Sequence, residues 1–150
     1  MTEQQRPVRI LMAEDSPSDA ELARLAFKNG SMVNELTIVK DGVEAIAYLR
    51  KEGAYTDVQR PDVILLDLNM PKKDGLEVLA EIKKDPELKT IPVVILTTSE
   101  DERDIMQAYR LYASSFITKP VEFEKFLEVA KGIKSFYLNV VTLPNNEDKQ

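Results

Sequence analysis

The chain has 150 residues, of which 43% are hydrophobic and 31% are charged, a composition typical of one globular domain with its own core. Its net charge of -6 argues against nucleic acid or an anionic membrane surface as the main partner. Histidine and cysteine are both absent, so any reaction or metal site must depend on carboxylates, hydroxyls and lysines.

The N-terminal residues are polar, and no apolar run approaches the roughly 18 residues of a membrane span, so we expect a cytoplasmic protein. We predict one domain at residues 8–138, preceded by a short segment at 1–7. A C-terminal extension and polar tail follow at residues 139–150.

Five short apolar runs predict strands, and the segments between them have helical spacing. In chain order the predicted strands are Val8 to Ala13, Leu36 to Val39, Asp62 to Leu66, Val93 to Leu96 and Ser115 to Ile117. The helical faces include Leu22 with Leu25, Val43 with Ile46, Leu76 with Leu79, and Ile105 with Ala108 and Tyr112. This alternation predicts an α/β fold of the flavodoxin-like type, a doubly wound five-stranded parallel sheet in the order 2-1-3-4-5. Helices are expected on both faces of the sheet.

Polar residues follow the predicted strands at their carboxyl ends, where open α/β sheets bind their ligands. Glu14 and Asp15 follow the first strand and Asp67 follows the third. Thr97 follows the fourth strand, and the fifth leads to Lys119 before a proline. Because the first and third strands are expected to be neighbours, three carboxylates should meet at one edge of the sheet.

Carboxylates that lie about 5 Å apart repel one another, so such a cluster favours a bound cation. Mg²⁺ suits it, because this ion takes one or two carboxylates and keeps water and phosphate oxygens as further ligands. With Mg²⁺ and the Lys119 ammonium beside it, Asp67 could act as a nucleophile toward a phosphoryl group. Thr97 could donate a hydroxyl to a phosphate oxygen.

Each of these residues has a simpler explanation when it is taken alone. Asp and Thr at strand ends are often turn or cap residues, and "EDSP" could be only the start of a helix. Lys119 could be a solvated lysine in an extended step before Pro120. The combination at the ends of several strands favours a functional site over coincidence.

Together these motifs resemble the receiver domain of bacterial two-component response regulators, over residues 8 to about 138. The matching stretches are Glu14-Asp15, "LLDLNMPKKDG" around Asp67, "VVILTTS" around Thr97, and "FITKP", which ends in Lys119-Pro120. The resemblance implies that Asp67 accepts a phosphoryl group from a phosphohistidine on a sensor histidine kinase. Such a protein is a phosphoacceptor and not an enzyme that acts on a separate substrate.

The same resemblance implies roles for the surrounding residues. Asp15 and Asp67 would bind Mg²⁺ directly, together with the backbone carbonyl of Asn69, and Glu14 would act through water. Lys119 would pair with the acyl phosphate, and the bond to Pro120 is usually cis in the family. Thr97 would move toward the phosphate while Phe116 turns inward, at a position that is often Tyr in relatives.

The last predicted helix carries two apolar rows, although a helix at the edge of a sheet needs only one. The second row predicts a protein interface, which we expect to be that of a homodimer. The candidate interface residues are Phe126, Val129, Ile133, Phe136, Tyr137 and Val140. The alternative is a wide buried face that the chain's own tail covers.

Three stretches of the sequence make the resemblance more specific: "SFYLNVVTLP", "KDGVEAIAYLRKEG" and "DLNMPKKDG". They resemble the response regulators that serve cyanobacterial phytochrome histidine kinases. Those regulators form dimers through the last strand, its flanking helices and the C-terminal extension. A phytochrome-type kinase is therefore the implied partner. Tyr137 stands where such relatives often carry Trp.

Three other functions are possible on a similar fold. A phosphatase of the haloacid dehalogenase type requires a second Asp two residues after its nucleophile, and Asn69 occupies that position. A flavin-binding module would place its phosphate near the first strand, where Glu14 and Asp15 would repel it. An interaction scaffold that works without phosphorylation should have lost the acid pair Glu14 and Asp15, or Asp67, or Lys119. The chain retains all of these residues.

Overall fold

Strands and helices alternate along the computed structural model, which describes residues 6–30, 33–68, 70, 72–97, 115–118 and 122–139. The side chains of residues 97, 115, 116, 118 and 135–139 are outside this description. The strands are β1 (Val8–Ala13), β2 (Asn34–Val39), β3 (Val63–Asp67), β4 (Val93–Thr97) and β5 (Ser115–Thr118). The helices are α1 (Pro17–Asn29), α2 (Gly42–Leu49), α3 (Gly75–Lys84) and α4 (Phe123–Asn139), with a short 3-10 helix at Gly53–Tyr55. The helix predicted around Ile105 to Tyr112 lies outside the described residues.

The strands form one parallel sheet in the order β2-β1-β3-β4-β5. The chain moves from β1 outward to β2 and then returns past β1 to β3, so the winding reverses between β1 and β3. All five residues of β3 are buried, as a central strand covered on both faces requires. The predicted flavodoxin-like α/β class, with a parallel sheet and flanking helices, is confirmed.

The starts of β2 and β3 differ from those expected from the apolar runs, and β3, β4 and β5 each end one residue later than expected. The structure starts β2 at Asn34, two residues before Leu36, because the parallel pairing with β1 continues to Val8. The start of β3 moves from Asp62 to Val63, because the Asp62 carboxylate accepts a hydrogen bond from the Arg9 backbone N–H at 2.9 Å. At the other end, Asp67 pairs with Leu96 of β4, so Asp67 is the last residue of β3 and not the first residue after it.

Two apolar layers cover the sheet. On one face, α2 and α3 pack on side chains from β1, β3 and β4 that include Leu11, Ile64, Leu66 and Ile95. On the other face, α1 and α4 pack on side chains that include Ile10, Met12, Leu65 and Leu96. Phe27 of α1 and Phe126 of α4 are each 1% exposed and fill much of this second layer.

Helices α1, α2 and α3 begin at the carboxyl edge of the sheet, and a side chain caps each of them. The Asp19 backbone N–H donates to Ser16 at the start of α1, and the Glu44 N–H donates to Asp41 at the start of α2. At the start of α3, Asp74 and Glu77 form a reciprocal capping box. In the part of the chain that the structure describes, no helix has the length and hydrophobicity needed to cross a membrane.

Candidate functional site

Three carboxylates meet where β1 and β3 end. In the parallel register Ala13 lies beside Leu66, so the residues that follow, Glu14 and Asp67, are neighbours at the edge of the sheet. Oxygen atoms of Glu14, Asp15 and Asp67 all lie within 4.8 Å of one another. The structure therefore brings together the three acids that the sequence predicts to meet.

These acids differ in their exposure to water. Glu14 and Asp67 are only 2% and 1% exposed, whereas Asp15 is exposed. One Glu14 oxygen accepts a hydrogen bond from the Ser16 backbone N–H at 3.1 Å, which holds the side chain at the start of α1. At 4.8 Å and an effective dielectric constant of about 20, two full charges repel by about 3.5 kcal/mol. A hard divalent cation fits this donor set, because carboxylate oxygens are the ligands it prefers.

The backbone after Asp67 is held against its neighbours. The Leu68 N–H donates to the Leu96 carbonyl at 3.0 Å, and the Gly75 N–H donates to the Leu68 carbonyl at 3.0 Å. A Cβ atom on Gly75 would lie 2.5 Å from the Asp67 carbonyl oxygen and 2.5 Å from the Leu68 Cα. Only glycine therefore allows α3 to begin directly against the end of β3.

The loop between β3 and α3 also contacts the start of α2. Lys72, whose φ is 70°, places its Nζ 3.4 Å from an Asp41 carboxylate oxygen. A Cβ on Gly42 would come within 2.0 Å of the Lys73 carbonyl oxygen. The start of α2 therefore limits the path of the loop that follows Asp67.

Asp41 is a buried site residue that the sequence analysis missed. Its side chain accepts the Glu44 N–H at 2.8 Å, and this hydrogen bond, aided by Lys72, lowers the pKa of the Asp41 carboxyl. A local signal was present, because Asp41 and Glu44 have the spacing of a capping box directly after β2. The ion pair with Lys72 is long-range and has no such signal.

Several predicted site residues are described only in part. Thr97 is the last residue of β4, and Phe116 lies on β5 beside Ile95, but the side chains of both are outside the description. Asn69, Lys119 and Pro120 lie outside the described residues. Their roles remain predictions.

The predicted interface on α4 requires a correction. Phe126 is 1% exposed and Ile133 is 8% exposed, and both pack in the core of the protomer against α1 and the sheet. These two side chains already have partners within the chain, so we omit them from the interface. Val129 is only partly buried. Phe136 and Tyr137 belong to α4 with side chains outside the description, and Val140 lies outside the described residues.

Comparison with known proteins identifies the family to which this fold belongs. The profile of the response regulator receiver domain matches residues 10–131, a range that includes all three carboxylates. The chain belongs to the response regulator receiver family. In this receiver the acids meet at the carboxyl edge of the sheet, where the winding reverses.

The receiver is similar to several named proteins over most of its length. It is 46% identical to response regulator Rcp1 of Synechocystis sp., with 96% of this chain and 99% of Rcp1 aligned. A crystal structure of the phosphorylated cyanobacterial phytochrome response regulator RcpA is 48% identical, with a TM-score of 0.83 over 93% of this chain and 100% of that one. A structure of Rcp1 with bound Mn²⁺ has 47% identity and a TM-score of 0.81, with the same two coverages.

Proposed function

We propose that this receiver accepts a phosphoryl group on Asp67 from the phosphohistidine of a sensor histidine kinase, with Mg²⁺ bound at the acidic edge. The observation that carries the proposal is the group of three carboxylate side chains within 4.8 Å, two of them almost fully buried. The similarity to an Rcp1 structure that contains Mn²⁺ supports a divalent cation at such a site. Asp15 and Asp67 would bind the ion with the Asn69 carbonyl, and Glu14 would act through water.

The protein contributes to this reaction mainly by positioning the reacting groups and by stabilising the charge on the phosphoryl oxygens. An Asp67 carboxylate oxygen forms a bond to phosphorus while the bond from phosphorus to the histidine nitrogen of the kinase breaks. The electron pair of that bond remains on the imidazole of the kinase. Bound Mg²⁺ would offset the negative charge of the carboxylates and of the phosphoryl oxygens.

The chain holds Asp67 ready for this transfer. The hydrogen bonds around Leu68 and the close approach of Gly75 limit the movement of the backbone beneath the acceptor. The 1% exposure of Asp67 shields it from bulk water, which strengthens its interaction with nearby cations. Lys119 would supply a second cation to the acyl phosphate.

We propose that the phosphorylated state is transmitted by a population shift. Thr97 and Lys119 would contact the phosphoryl oxygens, and Phe116 would turn inward while Pro120 shapes the loop beside Lys119. A change from 1:99 to 99:1 requires about 5.5 kcal/mol of differential stabilisation, which a few charge-assisted hydrogen bonds can provide. Transfer of the signal then depends on a surface contact with another protein.

The similarity to RcpA and Rcp1 supports two further parts of the proposal. The donor would be a phytochrome-type histidine kinase in the cytoplasm. The receiver would form a homodimer through α4, with Val129, Phe136, Tyr137 and Val140 at the contact. Sedimentation of Phe136→Glu tests this interface, since an unchanged balance of monomer and dimer would remove α4 from it.

Intact-mass measurement after incubation with Mg²⁺ and acetyl phosphate tests the phosphoacceptor. We expect the wild type to gain one phosphoryl group and Asp67→Asn to gain none. Asp57→Asn, which alters an exposed aspartate before β3, is the matched control and should be modified like the wild type. A wild type that gains no mass would instead favour the scaffold that works without phosphorylation.

The kinase is tested by phosphotransfer from purified, radiolabelled enzymes. We expect a light-sensing phytochrome kinase to transfer its phosphoryl group to this receiver faster than kinases that sense other signals. Equal rates from all donors would contradict the proposed partner while leaving the role of Asp67 intact.

A further inference from the structure

The loop between β3 and α3 carries part of the proposed cation site, because Asn69 follows Asp67 by two residues in the sequence. The described residues of this loop are held from two sides. Met70 is 8% exposed and packs in the apolar layer formed with α2 and α3. Lys72 reaches across to the start of α2, where its Nζ lies 3.4 Å from an Asp41 carboxylate oxygen.

The backbone of Lys72 is in the left-handed region, with a φ of 70°. This region disfavours residues that have a Cβ atom. Lys51 also has a positive φ, of 58°, but it closes the C-terminal end of α2, where that conformation is usual. There the Lys51 N–H donates to the Tyr48 carbonyl and the Glu52 N–H donates to the Ala47 carbonyl, the pattern of a Schellman motif. Lys72 precedes α3 and closes no helix, so the reason for its side chain should lie in what that side chain contacts.

The partner of Lys72 is a carboxylate that the fold holds in place. Asp41 is 8% exposed and accepts the Glu44 N–H at 2.8 Å, so its position is set by the start of α2. The backbones approach each other at the same point, since a Cβ on Gly42 would come 2.0 Å from the Lys73 carbonyl oxygen. The ion pair therefore connects the loop after β3 to a fixed position on α2.

We propose that Lys72 and Asp41 are positioning residues for the cation, whose ion pair holds the loop after Asp67 in the conformation that binds Mg²⁺. The inference rests on the proposed function, because it concerns the same cation. Neither side chain would touch the ion. Without the pair the loop would take up other conformations, and Mg²⁺ would bind only the fraction of molecules that has the competent one.

The sign of one substitution separates this role from a simple effect of charge. Lys72 is itself a cation, so if it acted only through its charge, Lys72→Met would remove a repulsion and tighten the binding of Mg²⁺. If Lys72 positions the loop, the same substitution should weaken binding. The Lys72 side chain is 66% exposed, and an ion pair with such a partner has a small effect, so we expect the dissociation constant to rise by about threefold.

Calorimetric titration of the full chain with Mg²⁺ measures these constants. Lys72→Arg keeps the positive charge and should bind Mg²⁺ as the wild type does. Lys51→Met is the matched control, since it removes an exposed lysine that also has a positive φ, at the opposite end of α2. This control should leave the dissociation constant unchanged.

A double-mutant cycle tests whether the two residues act as a pair. Asp41→Asn removes the charge but keeps a side chain that can cap α2, and it should also weaken Mg²⁺ binding by about threefold. Adding Lys72→Met should then cause no further change, because the pair is already lost. If the residues acted independently through their charges, the second substitution would tighten binding, and that result would contradict the proposal.

Hydrogen exchange without metal supplies a second measurement. The Gly75 N–H donates to the Leu68 carbonyl at 3.0 Å and closes the loop after Asp67. In EDTA, Lys72→Met should speed the exchange of this amide by about threefold, whereas Lys51→Met should leave it unchanged. Exchange of the Lys72→Met variant at the wild-type rate would show that the pair does not hold the loop.

The outcomes separate this inference from the proposed function. A wild type that binds no Mg²⁺ would contradict both. A wild type that binds Mg²⁺, together with a Lys72→Met variant that binds it equally well or more tightly, would overturn the positioning role alone. Urea unfolding of each variant in EDTA excludes loss of the fold as the cause of weaker binding.

Discussion

Removing one of the three clustered charges should stabilise the receiver when no divalent cation is present. Asp67→Asn keeps the shape of the side chain and removes its charge from a position that is 1% exposed. In the wild type, oxygens of Glu14, Asp15 and Asp67 lie within 4.8 Å of one another, and the charges they carry destabilise the folded state. The variant should therefore unfold at a higher urea concentration in EDTA.

The expected magnitude follows from the geometry. One pair of charges at 4.8 Å repels by about 3.5 kcal/mol at an effective dielectric constant of about 20. Asp15 is exposed, so water screens its share of the repulsion. The exchange of the buried Asp67 carboxylate for an amide recovers only part of the rest, because the amide is also a polar group that is buried. We expect a net gain in the free energy of unfolding of about 1–3 kcal/mol for Asp67→Asn.

Mg²⁺ should remove this difference. At a free concentration 100 times its Kd, a ligand stabilises the protein that binds it by about 2.7 kcal/mol, and the variant should gain less because it has lost one ligand. Urea unfolding followed by far-UV circular dichroism, in EDTA and then in Mg²⁺, measures both parts, with Asp57→Asn as the neutral control. An Asp67→Asn variant that is less stable than the wild type in EDTA would refute the electrostatic reasoning.

Three further changes test the packing and the helix starts by urea unfolding. Asp74→Ala removes the capping box of α3 and should cost about 1 kcal/mol, whereas the conservative Asp74→Asn should cost less. Phe126→Ala removes a side chain that is 1% exposed and should cost about 3–5 kcal/mol; a loss below 1 kcal/mol would contradict its place in the core. The Asp41 pKa is lowered in the folded state, so its charge stabilises the fold above the unfolded pKa, and this contribution disappears as the pH falls through the folded pKa. Asp41→Asn should therefore be destabilised at pH 6 and approach the wild type only as the pH falls through the lowered pKa of Asp41, and a difference that is independent of pH would contradict this assignment.

The order of elements and the acidic edge could be predicted because both depend on local sequence. The prediction of β1 as Val8 to Ala13 is confirmed, since a central strand covered on both faces is a continuous apolar run with a clear end. Glu14 and Asp67 follow such runs on adjacent strands, so the strand order alone brings them together. The start of β2 was wrong by two residues because backbone pairing at the edge of the sheet extends beyond the apolar side chains.

Other features depend on contacts between segments that are distant in sequence. The pairing of Asp41 with Lys72 requires the loop after β3 to approach the start of α2, and nothing in the local sequence of either residue predicts that approach. The two apolar rows of α4 were visible in the sequence, but their division between core and surface was not. Phe126 and Ile133 pack against α1 and the sheet, so these two apolar side chains of α4 are covered without a second chain.

Calorimetric titration with Mg²⁺ tests the account most directly, because every proposed step requires the acids at the ends of β1 and β3 to act as one cation site. The account predicts binding of one ion by the wild type, and no measurable binding after Asp15→Asn is combined with Asp67→Asn. The same heats from both proteins, or none from the wild type, would contradict it.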